Sequence, residues 1–216
     1  MRTNRRMSVA GVAWGIAFIV AVVSARAQVG KSQGVIDINT ASEKDLSSLP
    51  HMTSESVKAI MDVRPFESIV ALNRVLLSQG LTPKQAGEVY AKAFVQINLN
   101  TATREEIMLI PGAGRKMSHE FAEYRPWRNW AQFGKEIGKY VGKVETARLA
   151  QYCFIPLNVN KATDEDLATI PGLKTQTIEQ ISKGKPWKTV EDVRSAIAKM
   201  SGEKEASRIT RYLVVG

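Results

Sequence analysis

The stretch that decides the fold is Pro111-Gly112-Ala113-Gly114-Arg115-Lys116. Isoleucines before it and apolar residues after it recur at helical spacing, which predicts a tight turn between two short helices. The two glycines can adopt a positive φ at no steric cost, so the peptide N–H groups of the turn can stand open. The second helix adds unpaired N–H groups and the positive end of its dipole, and such a helix start is a typical phosphate site.

Two cations lie in the first turn of that second helix. Arg115 and Lys116 oppose the helix dipole there, and this arrangement is best explained by an anion lying between them. We therefore predict a phosphate-binding turn formed by Gly112, Ala113, Gly114, Arg115 and Lys116.

The surrounding pattern occurs three times, which predicts three tandem units. The segment that begins at Asp37 recurs at Asn98 and Asn158, with offsets of 61 and 60 residues. The corner Arg64-Pro65-Phe66 recurs with the same offsets as Arg125-Pro126-Trp127 and Lys185-Pro186-Trp187. We call residues 36–96, 97–156 and 157–216 the first, second and third repeats. Units of this size are close to the lower limit for independent folding, so stacking between them is expected.

Each repeat predicts an all-α unit of about four short helices. The helix N-caps are Ser42, Thr103 and Thr163, with Asp45, Glu106 and Asp166 at the capping-box position. Short extended segments are expected at Ile36, Ile97 and Leu157, and the last helices are expected to end in Phe94-Val95, Phe154-Ile155 and Val214-Val215. The corner aromatics Phe66, Trp127 and Trp187 are expected in the core rather than as base-stacking platforms.

The N-terminus has the pattern of a secretory signal at residues 1–27. Arg2, Arg5 and Arg6 precede an uncharged run, and Ala25-Arg26-Ala27 predicts cleavage between Ala27 and Gln28. The alternative is an uncleaved membrane anchor, because the run approaches the length of about 20 residues that spans a bilayer. Both interpretations place the chain outside the inner membrane, in the periplasm, with residues 28–35 as a linker.

Charge and residue types limit the functions to consider. The chain has a net charge of +9, and the first repeat with its linker is neutral, whereas the second and third repeats carry +3 and +2. Any nucleic-acid footprint is therefore expected on the last two repeats. Cys153 is the only cysteine, which excludes an intramolecular disulfide and favours a buried thiol. One cysteine and two separated histidines are too few for a metal site, so no metal or cofactor is expected. The sequence shows no nucleophile paired with a base, so no enzymatic activity is expected.

The string Asn-x-Asn-Thr-Ala-Thr-x-x-Glu-Ile-x-x-Ile-Pro-Gly-x-Gly at residues 98–114 resembles the helix-hairpin-helix module of the ComEA family of competence DNA receptors. The resemblance extends to all three repeats and implies tandem (helix-hairpin-helix)2 modules. It also implies sequence-independent binding of double-stranded DNA during uptake, together with uptake or envelope proteins as partners. A usual member of the family carries one such module, so three in tandem depart from its pattern.

The three hairpins differ in the residues that would bind phosphate. In the third repeat the candidates are Gly172, Leu173, Lys174 and Thr175, where Lys174 replaces the second glycine. Lys174 either strains the turn, if a positive φ is needed at that position, or relaxes the turn and supplies a cation. The first repeat has His51-Met52-Thr53 instead, with neither glycine. A second turn joins the last two helices of each repeat, and we call it the secondary turn. Of these turns, Gly142-Lys143 is the best candidate, whereas Gly202-Glu203 places an acid there. The predicted order of DNA contact is second, third, first.

Two functions remain open. The first is an exported protein that binds duplex DNA of any sequence through phosphates; about four neutralised phosphates would give a salt slope near −3.6. The second is an exported structural or protein-interaction module that retains the fold after losing its ligand.

Overall fold

The computed structural model describes residues 34–216. The predicted signal peptide, its cleavage site at Ala27 and Gln28, and most of the linker lie outside the described residues. Among the helices of residues 34–216, none combines the length and apolar character needed to cross a membrane.

The described chain is mainly helical, as the sequence predicts, and each repeat begins and ends with a two-residue strand. The elements of the first repeat are β1 (Ile36–Asp37), α1 (Glu43–Ser47), α2 (Ser54–Val63), α3 (Ile69–Ser78), α4 (Pro83–Tyr90) and β2 (Ala93–Phe94). Those of the second are β3 (Ile97–Asn98), α5 (Arg104–Met108), α6 (Gly114–Glu123), α7 (Trp130–Ala150) and β4 (Cys153–Phe154). Those of the third are β5 (Leu157–Asn158), α8 (Asp164–Leu167), α9 (Thr175–Lys183), α10 (Val190–Ser201), α11 (Glu203–Thr210) and β6 (Leu213–Val214).

The first and last strands of each repeat pair in parallel. Ile36 lies opposite Ala93, Ile97 opposite Cys153, and Leu157 opposite Leu213. The sequence expectation that the apolar pairs near residues 94, 154 and 214 end the last helices is therefore wrong. These residues lie in a strand or directly after one, because their backbone groups bond to the extended segment that opens the same repeat.

The second repeat keeps the expected count of four helices, although its last two helices are contiguous. Its last two helical segments form one element of 21 residues, α7, with non-helical backbone at Gly142 (φ 74°, ψ 170°). A glycine adopts this conformation without the steric cost that a Cβ would add, so it separates the two segments while the chain continues.

The capping boxes form in both directions at the first helix of every repeat. The hydroxyls of Ser42, Thr103 and Thr163 accept from the backbone N–H three residues on, and the acidic side chains there accept from the cap backbone. The shorter Asp side chain therefore reciprocates as Glu does, with a distance of 2.9 Å between Thr163 N and Asp166 Oδ2.

An asparagine near the start of each repeat fastens the proline corner. In the second repeat Asn100 Nδ2 donates to Trp127 O at 3.0 Å, and Trp127 N donates to Asn100 Oδ1 at 2.6 Å. Asn39 and Asn160 make the same pair of bonds. Phe66 and Trp127 are buried and Trp187 is half-buried, so the corner aromatics pack in the core as expected.

The core is continuous across the first two repeats, while the third has its own cluster of buried residues. An edge-to-face contact of Phe94 with Tyr152, with ring centroids 5.0 Å apart, contributes to the shared core. The first and second repeats therefore form one packed body, and the third repeat contacts the first at Gly172 and near its C-terminal end, where Arg211 donates to Gln96 O.

Candidate nucleic-acid interface

We name the three turns after the first helix of each repeat the first loop (residues 50–55), the second loop (111–116) and the third loop (171–176). In the second loop Gly112 and Gly114 have φ values of 78° and 63°, as the glycine pattern predicts. Ala113 is buried between them, whereas Gly112, Gly114, Arg115 and Lys116 are exposed. The buried alanine anchors the loop to the core and leaves its outer face in solvent.

The amides of the second loop are almost all unpaired. Ala113 N donates to Ile110 O at 3.0 Å, but within the described chain no protein group accepts from the amides of Gly112, Gly114, Arg115 or Lys116. Helix α6 also lacks a side-chain N-cap and has no acid in its first turn. Four N–H groups on exposed residues at the positive end of a helix form a site that is suited to an anion.

Arg148 ties down the opposite side of the second loop. Its Nη2 donates to Pro111 O at 2.6 Å, and its guanidinium forms two bonds to Glu145 of 2.6 and 2.7 Å. The bond to Glu145 raises the pKa of Arg148, which therefore stays charged. The carbonyl side of the loop is thus held by the protein, while the amide side remains accessible. This role was not predicted from the sequence; the available signal was an arginine 37 residues after the loop proline in both later repeats.

Lys116 extends the positive surface toward the Gly142 turn. Its Nζ lies 4.9 Å from the centroid of the Tyr140 ring, two residues before Gly142. The Tyr140 hydroxyl forms a hydrogen bond of 2.9 Å with that of Tyr124, which orients the ring. Lys143 is exposed directly after the turn. The second repeat therefore has exposed cations at both of its turns.

The third loop is only partly equivalent. Gly172 has a φ of 67°, and Leu173 N donates to Ile170 O at 3.2 Å. Lys174 has φ −81° and ψ 148°, so the strained alternative is wrong and the turn is relaxed. Helix α9 begins at Thr175 without a side-chain cap, which leaves its first amides unpaired by protein.

The third loop also packs against the first repeat. A Cβ at Gly172 would lie 2.8 Å from Thr40 Cγ2, so the two segments are in close contact. Arg208 donates to Pro171 O and pairs with Glu205, as Arg148 does in the second repeat. One edge of the third loop is consequently close to the first repeat.

The first loop is occupied by the protein's own groups. Thr53 Oγ1 accepts from Ser56 N at 3.3 Å and caps α2. Hydrogen bonds from Thr53 and from its own backbone amide hold the pKa of Glu55 below its usual value. His51 has a positive φ of 62°, and its Nε2 lies 2.6 Å from Glu88 Oε2, at the position that corresponds to Arg148. The carboxylate of Glu55 thus lies where an anion would otherwise bind.

The secondary turns follow the same division. In the first repeat α4 begins with a capping box, in which the side chains of Thr82 and Gln85 accept from each other's backbone N–H, and Pro83 at the first helical position has no N–H. In the third repeat α11 follows Gly202 (φ 84°) without a side-chain cap, but Glu203 and Glu205 lie in its first turn. The third repeat thus places two acids at this turn, whereas α6 of the second repeat has no acid in its first turn.

No group of three or more potential metal ligands occurs among residues 34–216. Cys153 is fully buried beside Leu149 O, and burial raises the pKa of its thiol. This placement agrees with the expectation of an unreactive side chain.

Comparison with protein families gives one match to this chain. Residues 31–89, which include the whole first loop, match the helix-hairpin-helix motif. No curated protein and no solved structure matches the chain significantly. The matched segment lies in the repeat whose loop has lost both glycines, so its fold signature persists without the phosphate-binding residues. Residues 31–89 therefore carry a helix-hairpin-helix motif, which is consistent with nucleic-acid binding.

Proposed function

We propose that this protein binds double-stranded DNA of any sequence through its phosphate backbone. The observation that carries the proposal is the second loop, where four exposed residues have amides without protein partners and two of them, Arg115 and Lys116, are cations. The motif match in the first repeat supports the same class of ligand. On this proposal the three repeats are tandem helix-hairpin-helix modules, and the second makes the main contact.

Backbone amides and lysine or arginine side chains recognise phosphates, which carry no sequence information directly. Binding should therefore be independent of sequence and strongly weakened by salt. If the second loop, the Gly142-Lys143 turn and the third loop together neutralise about four phosphates, the salt slope is near −3.6.

Fluorescence anisotropy with short duplexes of different sequence, across a salt series, tests the proposal. Changing Gly112 and Gly114 to Asp should weaken binding by at least about tenfold, because two carboxylates then face the phosphates. Changing His51 and Thr53 to Asp is the matched control, since Asp tolerates a positive φ and caps a helix. Because aspartate at Gly112 could disturb the loop, Arg115→Gln with Lys116→Gln removes only charge and should also weaken binding. Equal losses in the loop variant and its control, or no binding at low salt, would contradict the proposal.

Export is a further part of the proposal and rests on the N-terminal sequence. The signal at residues 1–27 should be removed, so that the mature protein begins at Gln28 in the periplasm and acts there as a DNA receptor in uptake. Intact mass spectrometry of the periplasmic fraction tests the cleavage, and a mass of the full chain in the membrane fraction would favour the anchor. Uptake of labelled DNA in a deletion strain tests the biological role.

A second candidate function applies to the first repeat. Its loop is filled by Glu55, and with its linker it has no net charge. These features favour a protein-interaction or structural module that keeps the helix-hairpin-helix packing. A full chain that shows no duplex binding in the titration above would extend this function to all three repeats.

A further inference from the structure

A groove of about 350 Å³ lies at the junction between the second and third repeats. This volume is at the lower end of the range of about 300–1,000 Å³ that is typical of sites for small molecules. The lining combines half-buried apolar side chains, at Trp130 and in the connecting segment 155–157, with exposed polar residues of both repeats. A ligand can therefore reach these side chains from solvent.

The equivalent junction between the first and second repeats is packed more tightly. There residues 95–97 take the place of 155–157 and are buried, with exposed fractions of at most 6%. Ile69 takes the place of Trp130 as the first residue of its helix, and it is also buried. The hydrophobic core runs continuously through the first junction, whereas the third repeat has a core of its own. The groove is therefore a feature of the second junction and not of the repeat as such.

The cations of this groove have no counterpart at the first junction. Arg128 and Lys161 line the groove and are exposed, and the first junction has Glu67 and Thr101 at these positions. Neither cation forms a salt bridge within residues 34–216. Asp166 is the one acid in the lining, and its carboxylate is engaged in the capping box of α8. The groove is therefore net positive and suits an anionic ligand.

Trp130 gives the groove an aromatic surface. Its ring contacts the buried ring of Phe133 edge-to-face, with centroids 5.5 Å apart, and Phe133 is its one aromatic partner in the described chain. At least one face of the indole therefore has no aromatic contact. Trp127 and Trp187 donate their indole N–H to a backbone carbonyl of the preceding helix, whereas no protein group within residues 34–216 accepts from the indole N–H of Trp130. Trp130 thus differs from the two corner tryptophans, which pack in the core.

We propose that this groove binds one unpaired nucleotide of single-stranded nucleic acid, with the base stacked on Trp130 and the phosphate held by Arg128 and Lys161. Aromatic side chains that stack with bases, beside cations that follow the backbone, are how proteins bind single strands without sequence preference. A base inside a duplex has both faces covered by its neighbours, so only an unpaired base can offer a face to Trp130. The site is separate from the second loop and does not rest on the proposal for duplex DNA.

The backbone at the groove favours a nucleotide over an extended peptide. A peptide that adds as a strand needs main-chain donors and acceptors to pair with. Pro156 has no N–H, and Leu157 N already donates to Tyr212 O at 2.8 Å. The connecting segment therefore has few donors for a peptide backbone, whereas its two neighbouring cations remain available to a phosphate.

Fluorescence anisotropy of the full chain with a labelled single-stranded oligothymidylate tests the site. Wild type should bind it saturably at low salt, and Arg128→Gln with Lys161→Gln should weaken binding by about tenfold or more, because two phosphate contacts are lost. Lys188→Gln with Lys199→Gln makes the same charge change on exposed residues of the third repeat, and Lys188 holds the position that corresponds to Arg128. This control should leave affinity within about threefold of wild type, because charges outside the groove are screened.

Tryptophan fluorescence locates the bound base. Stacking on Trp130 should quench the emission of the wild-type protein, and Trp130→Phe should lose this quenching while its ring keeps contact with Phe133. Trp130→Ala removes the aromatic surface and should weaken binding by about fivefold or more. Trp130→Phe should lose less affinity than Trp130→Ala, because a smaller ring can still stack.

Three results would overturn the site: no saturable binding of the oligothymidylate, equal losses in the double variant and its control, or quenching that persists in Trp130→Phe. Binding of an acidic peptide that depends on Arg128 and Lys161, without binding of the oligothymidylate, would overturn the assignment to nucleic acid. Blunt duplex binding should fall in the Gly112→Asp, Gly114→Asp variant and remain unchanged in Trp130→Phe. Failure of this site can therefore be distinguished from failure of the second loop.

Discussion

The hydroxyl of Tyr212 donates to Asp37 Oδ2 at 3.3 Å and so joins the last strand region of the third repeat to the first strand of the first. These residues are 175 positions apart. Asp37 stands where the other repeats have Asn98 and Asn158, and only Asp37 lies beside Arg208 and Arg211. Together with the bond from Arg211 Nη2 to Gln96 O, this contact links the third repeat to the first. The repeats therefore do not pack independently of one another.

Removal of the Tyr212 hydroxyl tests the strength of this link. Tyr212→Phe should lower the free energy of unfolding by about 1 kcal/mol, because the ring stays buried and one hydrogen bond is lost. Urea unfolding at neutral pH measures the change. The exposed Tyr140→Phe is the control and should have a smaller effect; equal effects would mean that the link adds no stability.

The contact of the third loop with Thr40 predicts a steric cost at Gly172. Gly172→Ala and Gly114→Ala both place a Cβ at a positive φ, at a cost of about 1–2 kcal/mol. Only Gly172→Ala should lose more than this, because its Cβ would lie 2.8 Å from Thr40 Cγ2, whereas Gly114 has no atom within 4 Å. Thr40→Ser removes that methyl group and should recover the excess in a double-mutant cycle of unfolding free energies. Additive effects of the two substitutions would argue against the contact.

The hydrogen bonds between Asn100 and the backbone of Trp127 should stabilise the fold more than an ordinary helix cap does. Asn100→Ala removes two hydrogen bonds to the Trp127 backbone and should cost about 2–3 kcal/mol. Asn129→Ala removes one capping bond at the start of α7 and should cost about 1 kcal/mol. Chemical unfolding of both variants gives the comparison, and a smaller loss for Asn100→Ala would show that the corner is held mainly by packing of Trp127.

The ion pair between Arg208 and Glu205, next to the third loop, should make the free energy of unfolding depend on pH. Hydrogen bonding with Arg208 lowers the pKa of Glu205 from 4.5 in the folded state. A lowered folded pKa contributes stability above the unfolded value, and this contribution is lost as pH falls through the folded pKa. Glu205→Gln should therefore be less stable than wild type at pH 7, and the difference should vanish in acid.

Urea midpoints from pH 7 to pH 3 measure the effect of Glu205→Gln. The control is Glu179→Gln, whose ion pair with Lys183 is exposed and should contribute little at any pH. A difference between wild type and Glu205→Gln that stays constant down to the lowest pH would contradict the assignment to the carboxylate.

Much of the local structure could be predicted from residue types alone. Helix starts at Ser42, Thr103 and Thr163 follow from side chains that bond to amides three residues away, and positive φ at Gly112 and Gly114 follows from the absence of a Cβ. These effects act over one or two turns of chain, so they leave a signal in a short window of sequence.

The extended segments at Ile36, Ile97 and Leu157 were predicted and are confirmed. The pairing of the strands and the long-range contacts of Asn100 and Arg148 could not be predicted in this way. Each strand has only two residues, too few to show a period of two. Each pairs with a strand that lies more than 50 residues away in the sequence. The roles of Arg148 and Asn100 also depend on distant backbone groups at Pro111 and Trp127. Nothing in the local sequence of these residues distinguishes them from other polar side chains.

By itself the sequence determined the helical repeat, its capping boxes and the glycine turn with its two cations, since each depends on the stereochemistry of neighbouring residues. Only the tertiary structure decided which turns are accessible. It filled the first loop with Glu55, covered one edge of the third with Thr40 and left the second open. The physical reason is that an amide binds a ligand only if no protein group reaches it first, and that depends on how distant segments pack.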